Sequence, residues 1–309
     1  MEQVIEDYMV PLGTATHPNN WDWGSLANPS RFVWNPLTTP LGHPAVIVVT
    51  WGVYLTVVFG LKAVVGARWN TRAFSILHNA GLCGVSFGML AVILWYMGSA
   101  LLSGHWQRVF CWRGNPGDGV PSPTAEEDAT LVWVVAVYYY TKWWELLDTV
   151  LLALTLKPLI FLHVYHHCVV ILLVWMWLQG GSVLALGLGA AFNTFVHVAM
   201  YWYYMQRSRG HKVWFKKYIT SLQILQFAYS FFLALPYLAL NFGLIPLNPK
   251  SYPDLTDSLG SRLRGSPHGH QCTGWYAFLF AVAVNASFLA LFIQFYNSTY
   301  KAKNKPKAQ

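Results

Sequence analysis

The chain has 309 residues, of which 55% are hydrophobic, 17% aromatic and only 10% charged. This balance excludes an ordinary soluble domain and indicates a protein that crosses a membrane several times. A formal net charge of +8 would suggest a nucleic-acid partner in a soluble protein, but here the sidedness of the charges is informative, and we expect no nucleic acid.

Seven apolar segments of membrane-spanning length follow one another along the chain. A short joint follows both the third and the fourth segment, which predicts that the third, fourth and fifth helices are antiparallel neighbours. The first 43 residues lack a basic start followed by an apolar core, so we expect no cleavable signal peptide. We divide the chain into a segment 1–43, a membrane domain 44–299 and a basic tail 300–309. The expected helices span residues 44–65, 73–102, 129–154, 158–178, 183–205, 218–244 and 274–296.

Basic residues collect on one side of these seven spans. That side holds twelve lysines and arginines and no acidic residue, whereas the other side holds six basic and ten acidic residues. Cytosolic loops of membrane proteins are enriched in lysine and arginine. We therefore expect the N-terminus in the lumen and the C-terminus in the cytosol.

Two of the four cysteines fall in the long loops of the less basic side. In an oxidising lumen Cys111 and Cys272 would pair, and we expect a disulfide between them, with two free thiols as the alternative. Cys83 and Cys168 lie within apolar segments, where a cysteine usually packs as a small core residue.

Three histidines lie inside the fourth apolar segment. At about 100° per residue, His163, His166 and His167 fall within roughly 100° of one helical face. Histidine is costly in hydrocarbon, so such a cluster needs partners or a chemical role. The pattern favours a reaction centre, with polar packing between membrane helices as the alternative.

The third helix carries four polar residues, Lys142, Glu145, Asp148 and Thr149, within an arc of roughly 120°. A charge near the bilayer centre costs about 2.5 to 3.5 kcal/mol, so these side chains must face the bundle interior and one another. Asp148 is a candidate for orienting a histidine by accepting its Nδ1 proton. A structural ion network is the alternative.

The fifth and sixth helices add two further polar boxes. Asn193 and His197 lie one turn apart on the fifth helix, and Gln223 opens an arc on the sixth. The tyrosines that follow His197 are also typical of an interfacial belt, and the glutamines of glue between helices. At about 1.5 Å per residue, Glu145, His166, His197 and Gln223 all lie roughly 9 to 14 Å from the basic ends of their helices. One shared layer favours a shared site.

The four boxes, in this order, resemble the ELO family of fatty acid elongases. They run from Lys142 to Thr149, from His163 to His167, from Asn193 to Tyr204 and from Thr220 to Gln226. A histidine box alone is weak evidence, whereas four boxes in sequence are specific. The lysines near the C-terminus are also spaced like a dilysine retrieval signal of endoplasmic reticulum membrane proteins, with a lipid-binding basic patch as the alternative.

The resemblance implies an all-α membrane protein with seven transmembrane helices, six of them forming a ring around a narrow acyl tunnel, in the endoplasmic reticulum. It implies the condensing enzyme that joins a long-chain acyl-CoA to malonyl-CoA, with loss of CO2 and CoA, to give a 3-oxoacyl-CoA two carbons longer. It implies no cofactor beyond these two substrates. The reductases and the dehydratase of the elongation cycle are the expected partners, and a homodimer is left open.

We expect His166 or His197 to hold the acyl group, with amides stabilising the oxyanion or enolate. A Cys168 thiolate is the alternative nucleophile, but it points roughly 140° away from His163. We expect no metal ligands. The candidate catalytic residues are His163, His166, His167, His197, Asp148, Glu145, Lys142, Asn193 and Gln223, and the candidate substrate-binding residues are Thr149, Tyr201, Tyr204, Thr220, Gln226, Arg207, Lys212, Lys216 and Lys217.

Two other classes of protein share parts of this pattern. Membrane di-iron desaturases and hydroxylases also carry His-x-x-His-His boxes but need about eight histidine ligands, and most of the remaining histidines here lie in loops on both sides of the membrane. A seven-helix transporter or receptor could use the buried ionisable layer as a proton relay. Metal analysis and a condensation assay distinguish these alternatives.

Overall fold

The computed structural model describes residues 22–112, 125–180, 185–252 and 271–301. Within these ranges the chain is helical, without β-strands, and seven long helices follow one another where the apolar segments predict them. The first 21 residues and the dilysine tail lie outside the described ranges. The helices are α1 (Pro44–Val64), α2 (Arg72–Leu102), α3 (Ala125–Leu154), α4 (Phe161–Gly180), α5 (Ala190–Arg209), α6 (Lys216–Asn241) and α7 (Trp275–Tyr296).

Five of the seven helices are long and apolar enough to cross a membrane: α1, α2, α4, α6 and α7. The other two, α3 and α5, are 30 and 20 residues long and carry two of the four polar boxes. The chain is therefore a multi-pass membrane protein. The count of seven spans and their orientation stay predictions.

Six of the helices pack side by side in a closed circle. Contacts run from α2 to α3, α4, α7, α6 and α5 and back to α2, while α1 packs outside this ring against α3. Neighbours around the ring run in opposite directions. The starts of α2, α4 and α6 and the ends of α3, α5 and α7 therefore lie together at one end of the ring. We call the end with Arg72, Lys157 and Arg207 the basic end.

The predicted packing of α4 beside α5 is wrong. The structure instead packs α4 against α3 and α7, and α5 against α2 and α6. A short connection requires only that the facing helix ends lie close, and here one π-helical turn, Ala185–Gly189, adds reach before α5 begins. In the ring, α4 and α5 are separated by α7 and α6 on one side and by α3 and α2 on the other.

Local chemistry sets the boundaries nearest the site. Proline disfavours helical backbone in the residue before it, Lys157, and Leu156 adopts φ 56°, so α3 and α4 are separate helices. Helix α4 begins at Phe161 rather than at the predicted Pro158. Helix α5 ends at Arg209 because Gly210 adopts φ 97°, a left-handed conformation that glycine tolerates and that commonly terminates helices.

The end of the ring opposite the basic end is braced by long-range contacts. Cys111, after α2, forms a disulfide with Cys272, before α7, across 161 residues of chain. The segment before α1 also packs there: backbone oxygens of Leu41 and Gly42 accept hydrogen bonds from Tyr139 on α3 and Trp175 on α4. These contacts fix the ring at the end away from the polar boxes.

Helices α2 and α3 approach closely at Gly81. A Cβ atom built on Gly81 would lie 2.5 Å from the Trp144 ring, whereas one on Gly84 would meet nothing within 4 Å. Alanine is a better helix former than glycine by about 0.5 to 1 kcal/mol. We expect Gly84→Ala to raise the thermal unfolding midpoint in detergent and Gly81→Ala to lower it. Equal shifts in the two variants would contradict the close contact.

Candidate functional site

The polar boxes of α3, α4, α5 and α6 converge on one cavity of about 850 Å³ inside the basic half of the ring. The cavity is wide at the basic end, where arginines and lysines line it, and histidines, amides and carboxylates line its depth. Of the residues predicted from the sequence, those that line it are Glu145, Asp148, His163, His166, His167, Asn193, His197, Tyr201, Tyr204, Arg207, Lys216, Thr220, Gln223 and Gln226.

A buried ion pair lies in the wall of this cavity. The Nζ atom of Lys142 lies 2.7 Å from Oε1 of Glu145, and both residues are 1% exposed. The Nδ1 atom of His197, on α5, lies 3.3 Å from the same carboxylate oxygen. The ammonium also lies 4.0 Å from the centroid of the Tyr138 ring, a distance at which a cation is attracted to an aromatic face. The pair thus ties α3 to α5 across the ring.

Asp148 contacts side chains of two other helices, one of which is a histidine. Its Oδ1 lies 2.7 Å from Nε2 of His78, on α2, and its Oδ2 accepts a hydrogen bond of 2.9 Å from the Tyr201 hydroxyl, on α5. The histidine beside Asp148 is His78 of α2, a helix outside the four boxes, and it approaches the carboxylate through Nε2 rather than through the predicted Nδ1. The carboxylate itself still lines the cavity.

The histidines of α4 contact a threonine hydroxyl and one another's rings. Nε2 of His163 lies 2.9 Å from Oγ1 of Thr149, which lies 2.9 Å from the Tyr54 hydroxyl of α1. The rings of His163 and His167 are 4.5 Å apart, and those of His166 and His167 are 5.3 Å apart. Helix α1 lies outside the ring but reaches the site through Tyr54.

The amide side chains lie on the opposite wall. Oδ1 of Asn193 accepts a 2.6 Å hydrogen bond from the Tyr138 hydroxyl. The amide nitrogen of Gln223 lies 3.8 Å from the sulfur of Met200, and the Thr220 hydroxyl lies 3.4 Å from that of Tyr300. The carbonyl oxygen of Asn193 accepts from Tyr138, which orients the side chain and leaves its amide N–H groups to donate to a ligand.

A second, narrower cavity of about 90 Å³ continues toward the opposite end of the ring. Its walls are mostly aliphatic and aromatic side chains of α4, α5, α6 and α7. Four residues line both cavities: His166, Asn193, Gln226 and Phe227. We call these four the collar, because they lie where the wide polar cavity meets the narrow apolar one.

Some predicted residues lie outside the cavity lining. Lys142 and Thr149 are fully buried behind the wall and contact Glu145 and His163, which do line it. Lys212 and Lys217 are exposed and do not line the cavity, so the structure gives no support to their predicted contact with substrate.

Other residues of the site were missed from the sequence. Arg68, Arg72 and Lys157 line the cavity mouth, although they were counted only as part of the basic side. His78 lies six residues after the start of α2, about 9 Å into the helix, so the depth count that grouped the boxes would also have found it. No sequence pattern marked Tyr54.

The charges at the mouth affect one another. Partial burial, followed by the nearby Arg68 and Arg207 guanidinium groups, lowers the pKa of Lys157 below its usual value. Like charges held together in this way repel, and an anion bound among them would relieve the repulsion. The mouth therefore has the electrostatics of an anion site.

In the described ranges, no three His, Cys, Asp or Glu side chains come together in a way that could hold a metal ion. Several of the candidate ligands instead contact one another or hydroxyl groups. His163 contacts Thr149, His197 contacts Glu145 and His78 contacts Asp148.

A multi-pass helical ring that encloses a cavity of histidines, amides and carboxylates defines a class, the integral membrane proteins with a polar site inside the helical ring. Comparison with known proteins gives the family. Residues 39–308 match the model of the ELO family, described as the GNS1/SUR4 family. The chain belongs to this family, whose curated members are named fatty acid elongases, and it functions in fatty acid elongation.

Three relatives illustrate the similarity. A Dictyostelium discoideum protein named "Putative fatty acid elongase" is 35% identical over 92% of this chain and 85% of its own length. Fatty acid elongase A of the same organism is 29% identical over 90% of this chain and 91% of its own length. Human very long chain fatty acid elongase 1 is 32% identical over 57% of this chain and 61% of its own length.

Removal of one member of the buried ion pair tests its structural role. Lys142→Met leaves the Glu145 carboxylate buried without its cation, which typically costs about 3 to 5 kcal/mol of stability. We expect a large fall in the thermal unfolding midpoint in detergent. The double variant Lys142→Met, Glu145→Met removes both charges and should recover most of the midpoint; an unchanged midpoint in the single variant would contradict this role.

Proposed function

We propose that the protein is the condensing enzyme of fatty acid elongation. It joins a long-chain acyl-CoA to malonyl-CoA and gives a 3-oxoacyl-CoA two carbons longer, with release of CO2 and CoA. The elongase names of its relatives support this proposal at the level of the pathway, and the geometry of the two cavities supports the particular reaction.

The collar is the observation that carries the proposal. A long-chain acyl-CoA has a polar, anionic head and an apolar tail that meet at the thioester. The wide cavity offers basic and polar walls and the narrow cavity offers apolar ones, and they meet at His166, Asn193 and Gln226. A thioester at the collar would therefore have its two ends in matching environments, with its reactive carbon beside an imidazole and two amides.

His166 is the better of the two candidate nucleophiles. It belongs to the collar, and its ring lies 5.2 Å from that of Phe288, which lines the narrow cavity. His197 lies beside the carboxylate of Glu145, which suits it to moving protons. Cys168 does not line either cavity, so the thiol alternative lacks access to a substrate bound there.

The reaction proceeds in two halves. An imidazole nitrogen of His166 attacks the thioester carbon, the C–S bond breaks, and CoA leaves as a thiolate that takes a proton. Malonyl-CoA then loses CO2 to form an enolate, which attacks the acyl carbon and releases the imidazole. The amide N–H groups of Asn193 and the side chain of Gln223 would stabilise the negative oxygen that develops in each half.

The location and partners follow from this chemistry. CoA thioesters are cytosolic, so the basic end would face the cytosol and the disulfide end the lumen, with seven spans in the endoplasmic reticulum membrane. A 3-oxoacyl-CoA must be reduced, dehydrated and reduced again before another round, so the reductases and the dehydratase of the cycle would act on the product. No cofactor is required beyond the two substrates.

Two other functions remain as outcomes of the experiments. A di-iron desaturase or hydroxylase would contain stoichiometric iron and convert its substrate without malonyl-CoA. A transporter or receptor would bind a ligand without forming a carbon–carbon bond. Purified protein incubated with acyl-CoA and labelled malonyl-CoA should give 3-oxoacyl-CoA; failure to form it, with malonyl-CoA intact, would overturn the proposal.

The covalent step has its own test. We expect His166→Ala to lower kcat at least about 1,000-fold, the scale seen when a nucleophile is removed, and mass spectrometry of wild type given acyl-CoA alone should find the acyl mass on the peptide that contains His166. Cys168→Ser should form the adduct at close to the wild-type rate. An adduct on any residue other than His166 would contradict this assignment.

Two adjacent lysines test the mouth. Lys216 lines the cavity and its neighbour Lys217 does not, although both are exposed. We expect Lys216→Gln to raise KM for acyl-CoA about two- to fivefold, as for loss of an exposed charge contact worth about 0.5 to 1 kcal/mol. Lys217→Gln should leave KM unchanged, and the Lys216 effect should shrink at high salt. Equal effects of the two substitutions would argue against a localised anion site.

A further inference from the structure

We propose that His78 is a positioning residue of the condensation reaction, which fixes the rotation of the Asp148 carboxylate and aims it into the cavity. This inference rests on the proposed function, since it assigns a task within that reaction. His78 lies on α2, outside the four polar boxes, and nothing in the family resemblance assigns it a role.

The carboxylate of Asp148, and not the imidazole of His78, lines the cavity. Asp148 lines the wide cavity, and its side chain is 15% exposed. The side chain of His78 is 1% exposed, does not line the cavity, and lies behind the wall among Phe74, Trp144 and Tyr201. His78 can therefore reach the reaction only through Asp148.

Each oxygen of Asp148 has a donor. Nε2 of His78 lies 2.7 Å from Oδ1, and the Tyr201 hydroxyl donates across 2.9 Å to Oδ2. Donors on both oxygens fix the rotation of the carboxylate. The two donors come from α2 and α5, the two ring helices that pack most extensively on each other, so the frame that aims the carboxylate is rigid.

His78 is also the basic side chain paired with Asp148. Glu145, one turn earlier, is paired with Lys142, whereas in the described ranges the group within ion-pair distance of Asp148 is His78. The same ranges offer no hydrogen-bond partner to the buried Nδ1 of His78, so its interaction with Asp148 is the polar contact that holds the ring. An unpartnered carboxylate at this depth would be costly.

Tyr201 links this unit to the rest of the site. Its ring is fully buried, lies 5.5 Å from that of His197 and lines the cavity. Because the Tyr201 hydroxyl donates its hydrogen to Asp148, the oxygen of that hydroxyl can act only as an acceptor toward a group in the cavity. The unit of His78, Asp148 and Tyr201 therefore sets the hydrogen-bond polarity of the wall beside the histidine box.

Substitutions of His78 that differ in one property test this role. His78→Leu removes the donor, and His78→Gln keeps an amide N–H near the position of Nε2. We expect His78→Leu to lower kcat about 10- to 100-fold, the range for loss of a hydrogen bond to a charged group, with little change in KM for acyl-CoA. His78→Gln should restore most of kcat. A Gln variant as slow as the Leu variant would overturn the proposal.

A control and a double variant separate this role from packing. Leu82→Ala creates a cavity one turn along α2 at a fully buried residue, and it should lower the thermal midpoint while leaving kcat near wild type. If His78 acts through Asp148, then His78→Leu in an Asp148→Asn background should cause no further loss. Losses that multiply in the double variant, or a Leu82→Ala kcat as low as that of His78→Leu, would overturn the inference.

The wild-type assay distinguishes the two proposals. If wild type condenses acyl-CoA with malonyl-CoA and His78→Leu is equally active, the inference about His78 fails and the proposed function stands. If wild type forms no 3-oxoacyl-CoA, the proposed function fails, and the role of His78 within it falls as well.

Discussion

A charge buried among apolar helices must be offset by a partner, and this constraint organises the structure. The ammonium of Lys142 and the carboxylate of Glu145 lie 2.7 Å apart with almost no exposure. Leaving either alone would be costly, so α3 has to place this face inside the ring, opposite α5. The same constraint brings His78 to Asp148 and Thr149 to His163. Polar side chains that could serve a reaction thus also determine how the helices turn toward one another.

Much of the fold could be predicted from the sequence, because membrane helices leave a strong local signal. Each apolar segment became a helix close to its expected ends, except that α5 begins at Ala190 rather than near residue 183, and the shared depth of Glu145, His166, His197 and Gln223 corresponds to a common cavity. Depth along a helix is a simple function of residue number. It therefore transfers from sequence to structure even when the neighbours of a helix are unknown.

Pairings across the ring could not be predicted in the same way. Nothing local in the sequence says that Asp148 faces α2, or that a tyrosine of the outlying α1 reaches Thr149. The short connection after α4 suggested the wrong neighbour for α5. A short connection brings the ends of two helices close together but does not make the two helices pack along their length. Likewise Lys216 and Lys217 are alike in sequence, and only the direction of each side chain from α6 decides which one lines the cavity.

The collar has a consequence for the timing of events within one turnover. In the proposed reaction, a hydrocarbon tail seated beyond His166 and Phe227 would occupy a compartment distinct from the one that would receive the CoA group. Once the thioester C–S bond is broken, free CoA could leave and malonyl-CoA could bind in its place while the acyl chain remains in the narrow cavity. Two compartments would thus let successive CoA thioesters enter and leave by the basic end while the growing acyl chain stays bound.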